Sequence, residues 1–167
     1  MTVEQARPVI ERIMDTVHQR LQVLLSDVYP NTPVSEVIRP SRTISFQPKP
    51  WQIVLTLGDQ EVNEALCKAG NPPAIAYDAR INIYCHLMPS ETDNTPIDTY
   101  QTVFYADVQE ALTNSGDGGW WGMGGLAINS HIRAMEQMTS DGGMDGFCVP
   151  LEVCYRVSEY SAYEVRY

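Results

Sequence analysis

The strongest constraint on the fold is a strict two-residue alternation that runs from residue 75 to residue 88. One set of positions is largely apolar: Ile75, Tyr77, Ala79, Ile81, Ile83, Cys85 and Leu87. The set between them is mixed: Ala76, Asp78, Arg80, Asn82, Tyr84, His86 and Met88. Because successive side chains of a strand point to opposite faces, this pattern predicts a strand over residues 74–88. The mixed face indicates a sheet that helices cover on one side and leave partly open on the other.

Two amphipathic helices are predicted to cover the apolar face of that sheet. The first spans about 7–28, where apolar residues recur every three or four positions and Pro8 suits the first helical position. The second spans about 96–114, with Thr95 as the N-cap and Pro96 at the first position. Both helices are therefore expected to pack on the sheet.

The rest of the chain is predicted to complete one α+β domain over residues 1–167. Further strands are expected at about 51–57, 126–138 and 147–157, with a flexible loop at 116–125 and a C-terminal tail at 158–167. The order of helix, strands, helix and hairpin predicts two main helices packed on one face of a mostly antiparallel, mixed β-sheet.

Charge limits the partners of such a domain. The chain carries 21 acidic and 11 basic residues and a formal net charge of -10. Direct binding to duplex DNA or to an anionic membrane is disfavoured, because both rely on Lys and Arg. The sequence has no apolar run of the roughly 20 residues that a membrane span needs, and no signal-peptide pattern. We therefore expect synthesis in a reducing cytoplasm.

The residue types that bind metals form no recognisable motif. The cysteines are Cys67, Cys85, Cys148 and Cys154, and none belongs to a C-x-x-C pair. Free, partly buried thiols are the favoured interpretation. A zinc site at Cys85 and His86 is disfavoured, since adjacent residues of a strand point to opposite faces. The histidines lie on three different elements: His18, His86 and His131. No metal site is predicted.

Catalytic and cofactor motifs are equally lacking in the sequence. It contains no G-x-S-x-G nucleophile motif, no P-loop and no G-x-G-x-x-G fingerprint. Carboxylates such as Asp59 and Glu61 are interpreted as solvated loop charges. We therefore predict that the chain is not an enzyme and uses no cofactor.

The most unusual segment is Gly116–Gly125, GDGGWWGMGG, in which six of ten residues are glycine. Trp120, Trp121 and Met123 are candidate protein contacts, since tryptophan is enriched at interface hot spots. The alternative is that both tryptophans fold back over the core of their own domain. Arg39 and Arg42 are further candidates for partner contacts, and simple surface placement is the alternative for them.

Four segments carry a resemblance to a known family. They are Val37-Ile-Arg-Pro-Ser-Arg42, the G-N-P-P-A-I-A stretch at 70–76, M-P-S-E at 88–91 and Val149-Pro-Leu-Glu-Val-Cys-Tyr-Arg156. In this order, after an amphipathic N-terminal helix, they resemble the tail terminator (tail completion) proteins of tailed bacteriophages. More loosely, they resemble other neck proteins of the head–tail joint. The resemblance is one of pattern and covers nearly the whole chain, although the Gly/Trp loop departs from the smaller members.

The resemblance implies a structural virion protein with no enzymatic activity and no cofactor. Such proteins form a hexameric ring that caps the tail tube and joins it to the neck. The implied partners are further copies of the chain, the tail tube protein and the head-side connector proteins. DNA would pass through the ring without specific binding, and acidic walls would favour its passage. The implied location is the virion tail or neck, after assembly in the host cytoplasm. Two alternatives stay open: another neck or head-completion connector, and a monomeric binding module that uses the Gly/Trp loop.

Overall fold

A computed structural model describes residues 7–40, 49–114, 116, 119–138 and 145–166. These ranges contain two α-helices, α1 (Val9–Leu21) and α2 (Ile97–Thr113). Their strands are β1 (Glu36–Ile38), β2 (Gln52–Val62), β3 (Ala74–Leu87), β4 (Asn129–Ile132), β5 (Glu136–Gln137), β6 (Asp145–Ser158) and β7 (Ser161–Val165). Short 3-10 turns lie at Gln22–Leu25, Glu64–Leu66 and Trp120–Gly122. The predicted α+β class is confirmed.

All seven strands belong to one sheet, in the order β1-β2-β3-β6. Three short strands, β4, β5 and β7, pair side by side along the outer edge of β6. Only β1 and β2 run parallel, and every other described pair is antiparallel. The sheet is therefore mixed and mostly antiparallel, with β1 at one edge and β7 at the opposite one.

The core forms where the apolar stripes of both helices meet one face of the sheet. Ile81 and Ile83 of β3 are fully buried, as the alternation in the sequence predicts. Ile13 of α1 and Phe104 of α2 are equally inaccessible. Phe104 meets Phe147 of β6 edge to face, with ring centroids 5.6 Å apart, a favoured aromatic geometry. This contact fixes α2 over the start of β6.

The first helix is shorter than predicted. It ends at Leu21 rather than near residue 28, and a 3-10 turn continues it only to Leu25. The Ser26 hydroxyl donates a 2.5 Å hydrogen bond to the main-chain oxygen of Val23, which competes with helical bonding. Leu24 still packs in the core, whereas Leu25 and Val28, the last residues of the predicted apolar stripe, are exposed.

The second half of the chain differs from the prediction at two places. The strand expected at 126–138 is replaced by β4 and β5, because the preceding turn still holds Ala127, whose N–H donates to the oxygen of Gly122 at 2.9 Å. The expected tail at 158–167 contains β7, which pairs with the end of β6. Most side chains of β7 are exposed, so main-chain hydrogen bonds rather than burial define this strand.

Candidate protein-contact sites

The Gly/Trp segment forms a compact series of turns over residues 119–127. The N–H of Gly122 donates to the oxygen of Gly119 at 2.9 Å, and the N–H of Met123 donates to the oxygen of Trp120 at 3.2 Å. Met123 then takes a left-handed conformation with φ of 49°. The chain thereby reverses direction and leads into β4.

Arg20 of α1 anchors this segment to the helices. Its Nη1 donates to the main-chain oxygen of Trp120 at 2.8 Å and to that of Leu112 at 3.3 Å, and it lies 3.4 Å from the Sδ of Met123. Leu112 lies in the last turn of α2, where carbonyl groups have no helical partner and favour a cation. One guanidinium thus joins both helices to the Gly/Trp segment.

The three predicted contact residues of this segment have different environments. Met123 is fully buried, and Trp120 is half-buried against the core. Trp121 is 47% exposed, while its main-chain oxygen accepts a 2.7 Å hydrogen bond from the Ser130 hydroxyl. Of these three side chains, Trp121 is therefore the one that the fold presents to a partner.

Arg39 is held by its own chain. Its Nη1 lies 2.8 Å from Oδ1 of Asp15, and its Nη2 lies 2.8 Å from Oε2 of Glu11. Arg7 contacts the same two carboxylates. Arg39 therefore fastens the end of β1 to α1, while the second predicted arginine, Arg42, lies outside the described residues.

Two groups of exposed apolar side chains lie close together in the sequence. The helix-end patch comprises Val23, Leu25 and Val28, which are 40%, 47% and 69% exposed. The hairpin patch comprises Tyr160 and Tyr163, which are 75% and 48% exposed. The 3-10 turn of the helix-end patch contacts α2 as well as β1, whereas the hairpin patch lies at and beside β7. The two patches therefore lie towards opposite edges of the sheet.

A cleft of about 450 Å³ lies where four separate segments meet. We call it the Trp51 cleft, and its walls comprise Pro30, Asn31, Pro33, Trp51, Pro89, Ser90, Thr95, Thr99, Tyr100 and Val103. No sequence pattern predicts this cleft, because Trp51 is predicted only as the first residue of a strand. Pro50, directly before Trp51, was the one local signal, since proline restricts the backbone beside it.

Trp51 itself has an unusual backbone and a packed ring. Its φ of 56° places it in the left-handed region, which bulky side chains rarely enter. Its ring meets Tyr100 edge to face at 6.0 Å and tilts against Phe104 at 5.7 Å. The hydroxyl of Tyr100 donates to the carboxylate of Asp93, and this bond lowers the pKa of Asp93. The carboxylate of Asp93 therefore lies beside Tyr100, one of the aromatic walls of the cleft.

Three thiols, those of Cys85, Cys148 and Cys154, are held in forms that disfavour nucleophilic chemistry. Burial raises the pKa of Cys85 well above its ordinary value and also raises the pKa of Cys148. Burial, together with the neighbouring Asp78, raises the pKa of Cys154 to about 12. A thiol with a raised pKa stays protonated at neutral pH and is a poor nucleophile. Among the described residues, no group of three His, Cys, Asp or Glu side chains could hold a metal ion.

Neither described helix is long and apolar enough to cross a membrane. No protein-family model matches the sequence, and no curated protein matches it. Among solved structures, the chain is similar to one from the "Virion of native gene transfer agent (GTA) particle", with 13% identity and a TM-score of 0.47. The match covers 89% of this chain and 98% of that chain. A likeness of this degree does not define a function.

Proposed function

We propose that this chain is a structural protein of a tailed-bacteriophage virion, a tail terminator that forms a ring at the head–tail junction. In that position it caps the tail tube and joins it to the neck. One observation carries the proposal: the helix-end patch and the hairpin patch lie towards opposite edges of one sheet. The sequence resemblance supports the choice of family.

Two different adhesive surfaces on one subunit are what a ring requires. When one surface of a copy binds a different surface of the next copy, the contact is heterologous. Such contacts close into a ring if the rotation between copies permits. Exposed tyrosines such as Tyr160 and Tyr163 provide large contact area, and tyrosine is enriched at interface hot spots. In this proposal the helix-end patch of each copy packs against the hairpin patch of its neighbour.

The acidity of the chain fits a passage for DNA. Asp59 and Glu61, predicted as loop charges, lie on β2 instead. With Glu64 and Asp78 they place four exposed carboxylates at the far end of the β2–β3 pair, against one exposed cation, Lys68. Carboxylates repel phosphate, so a wall built from them would let DNA pass without holding it. In the proposed ring this end of the β2–β3 pair faces the lumen.

The rest of the proposal follows the resemblance. The ring is a hexamer, its neighbours are the tail tube protein and the head-side connector, and DNA passes without specific binding. The chain works in the virion tail or neck after assembly in the host cytoplasm, as a structural protein without enzymatic activity or cofactor.

Deletion of the gene in its phage tests the role directly. We expect tails of abnormal length that fail to join heads, and wild-type protein supplied in trans should restore both properties. A variant with Leu25→Ser and Val28→Ser, and a second with Tyr160→Ser and Tyr163→Ser, should each fail to restore them. The matched control is Met88→Ser, because Met88 is 50% exposed but belongs to neither patch. Normal tails in the deletion phage would contradict the role.

Mixing the two patch variants tests the geometry of the contact. Each variant alone lacks one half of a heterologous contact and should remain monomeric in sedimentation. An equimolar mixture retains one intact contact between unlike copies, so a dimer and no larger species is expected. An isologous contact would give no such complementation, because each copy must then present the same patch.

The exposed side chain of Trp121 favours one alternative function, a monomeric module that binds another protein through the Gly/Trp segment. That function predicts that Trp121→Ser abolishes activity in the phage while both patch variants keep it. The ring proposal predicts the reverse pattern.

A further inference from the structure

We propose that the Trp51 cleft is a docking site for a segment of a different protein that carries an arginine or lysine next to an apolar side chain. The residues that line this cleft belong to neither the helix-end patch nor the hairpin patch, and the inference holds whether or not the chain forms a ring.

The walls suit an apolar side chain and a cation together. Three prolines and Val103 give apolar contact, and Trp51 and Tyr100 are half-buried aromatic rings. Ring faces attract guanidinium and ammonium groups, with tryptophan the strongest of the aromatic residues. The cleft is large enough for one or two side chains and shallow enough for a peptide main chain to lie across it.

The charges in the segments that form the cleft favour a cation. Glu91, Asp93 and Asp98 are all exposed and lie in the two segments that supply Ser90, Thr95 and Thr99 to the walls. Residues 89–104 contain no Lys, Arg or His. The bond from Tyr100 holds Asp93 beside the aromatic wall. A basic segment would therefore meet carboxylates with no competing cation from this part of the chain.

The conformation of Trp51 is the independent sign of a site. A bulky residue at φ of 56° is strained, and such strain persists where the surrounding structure imposes it and is concentrated at binding sites. The main-chain oxygen of Trp51 accepts a 2.8 Å hydrogen bond from the N–H of Ser35, and its ring packs on Tyr100 and Phe104. The fold thus holds this ring at the cleft despite the backbone strain.

The basic group is better supplied by another protein than by a second copy of this chain. Arg39, Arg80, Arg133 and Arg166 each contact a carboxylate of their own chain. Moving any of these four into the cleft of a neighbour would break that pair. Arg12 and Lys68 have no such pair among the described residues, and for them the repulsion between two acidic copies is what disfavours the cleft of a neighbour. The net charge of -10 adds repulsion between copies that a basic partner would not meet.

The test uses two short peptides of equal size, Ac-Leu-Arg-Leu-NH2 and its neutral analogue with citrulline in place of arginine. Their binding is followed by NMR at the tryptophan indole N–H groups, with Trp51→Phe used to assign the Trp51 signal. We expect the arginine peptide to shift the Trp51 signal and to bind at least about five-fold more tightly than the citrulline peptide. Asp93→Asn should remove most of that preference, and it leaves the core intact because Asp93 is exposed.

Three outcomes would overturn the inference. Equal affinity for the two peptides would show that the cleft does not select a cation. The absence of any shift at Trp51 would show that the peptide does not bind in the cleft. A Trp51 signal that moves with concentration of the protein alone would assign the cleft to a second copy. None of these outcomes bears on the patch variants, so failure here and failure of the ring proposal are distinguishable.

Discussion

The guanidinium of Arg20 donates a 2.8 Å hydrogen bond to the main-chain oxygen of Trp120, a residue 100 positions later in the sequence. Through this bond the first helix fixes a segment whose glycine content predicts a flexible loop. The consequence is that the side chains of the segment divide into an inner set, Trp120 and Met123, and an outer one, Trp121.

Replacing Arg20 should destabilise the domain. Arg20→Met removes the donor to Trp120 and Leu112 and leaves their carbonyl groups without it, at a cost of about 1–3 kcal/mol. Chemical denaturation measures the free energy of unfolding. The control is Gln19→Met, since Gln19 is the exposed neighbour, and its effect should stay within about 0.5 kcal/mol. Equal effects of the two substitutions would contradict the anchoring role.

The inner and outer side chains of the Gly/Trp segment should respond differently to truncation. Met123→Ala empties a fully buried site and should lower the free energy of unfolding by about 2–5 kcal/mol. Trp121→Ser removes a side chain that is 47% exposed and should have a much smaller effect. Thermal or denaturant unfolding of both variants makes the comparison, and a larger loss for Trp121 would show that it, too, belongs to the core.

The ion pairs of Arg39 should contribute a small stability that depends on salt. Its side chain is 27% exposed and its partners Glu11 and Asp15 are 37% and 35% exposed, so Arg39→Met should cost about 0.5–1 kcal/mol at low ionic strength. The cost should shrink in about 1 M salt, where the screening length is about 3 Å. Lys49→Met is the control, because Lys49 is 68% exposed and lies 3.5 Å from Glu36. A cost that salt leaves unchanged would point to packing instead.

Acid should destabilise the fold through His86. Burial lowers the pKa of His86 below its ordinary value of 6.5, so the unfolded chain takes up the proton more readily than the folded one. The stability that neutral His86 maintains is complete above that value and is lost as the pH falls below about 6.5 and through the lowered pKa of the folded state. His86→Gln should flatten the dependence of the unfolding free energy on pH in this window. An unchanged slope would contradict the shift.

Much of the fold was predictable because burial leaves a periodic pattern. The alternation around Ile81 and Ile83 follows from one buried face, and Pro96 marks the start of α2 within a residue. The strand β7 was not predictable, since its side chains are mostly exposed and its pairing depends on an edge of β6 that other segments leave open. Pairing through main-chain atoms does not require particular side-chain types, so the sequence pattern does not indicate it.

The candidate sites were less predictable than the fold. Trp120 and Trp121 are adjacent and identical in type. Arg20 binds the main-chain oxygen of Trp120, and only the side chain of Trp121 is largely exposed. The Trp51 cleft joins residues from four segments that are distant in sequence, and no local pattern reports which distant prolines approach Trp51. Tertiary packing determines both features.

Cryo-electron microscopy of the intact virion tests the central claim most directly. The account predicts a closed ring of copies of this chain at the head–tail junction, with Leu25 and Val28 of each copy against Tyr160 and Tyr163 of the next. Copies found elsewhere in the particle, or copies joined by a two-fold contact of identical surfaces, would contradict it.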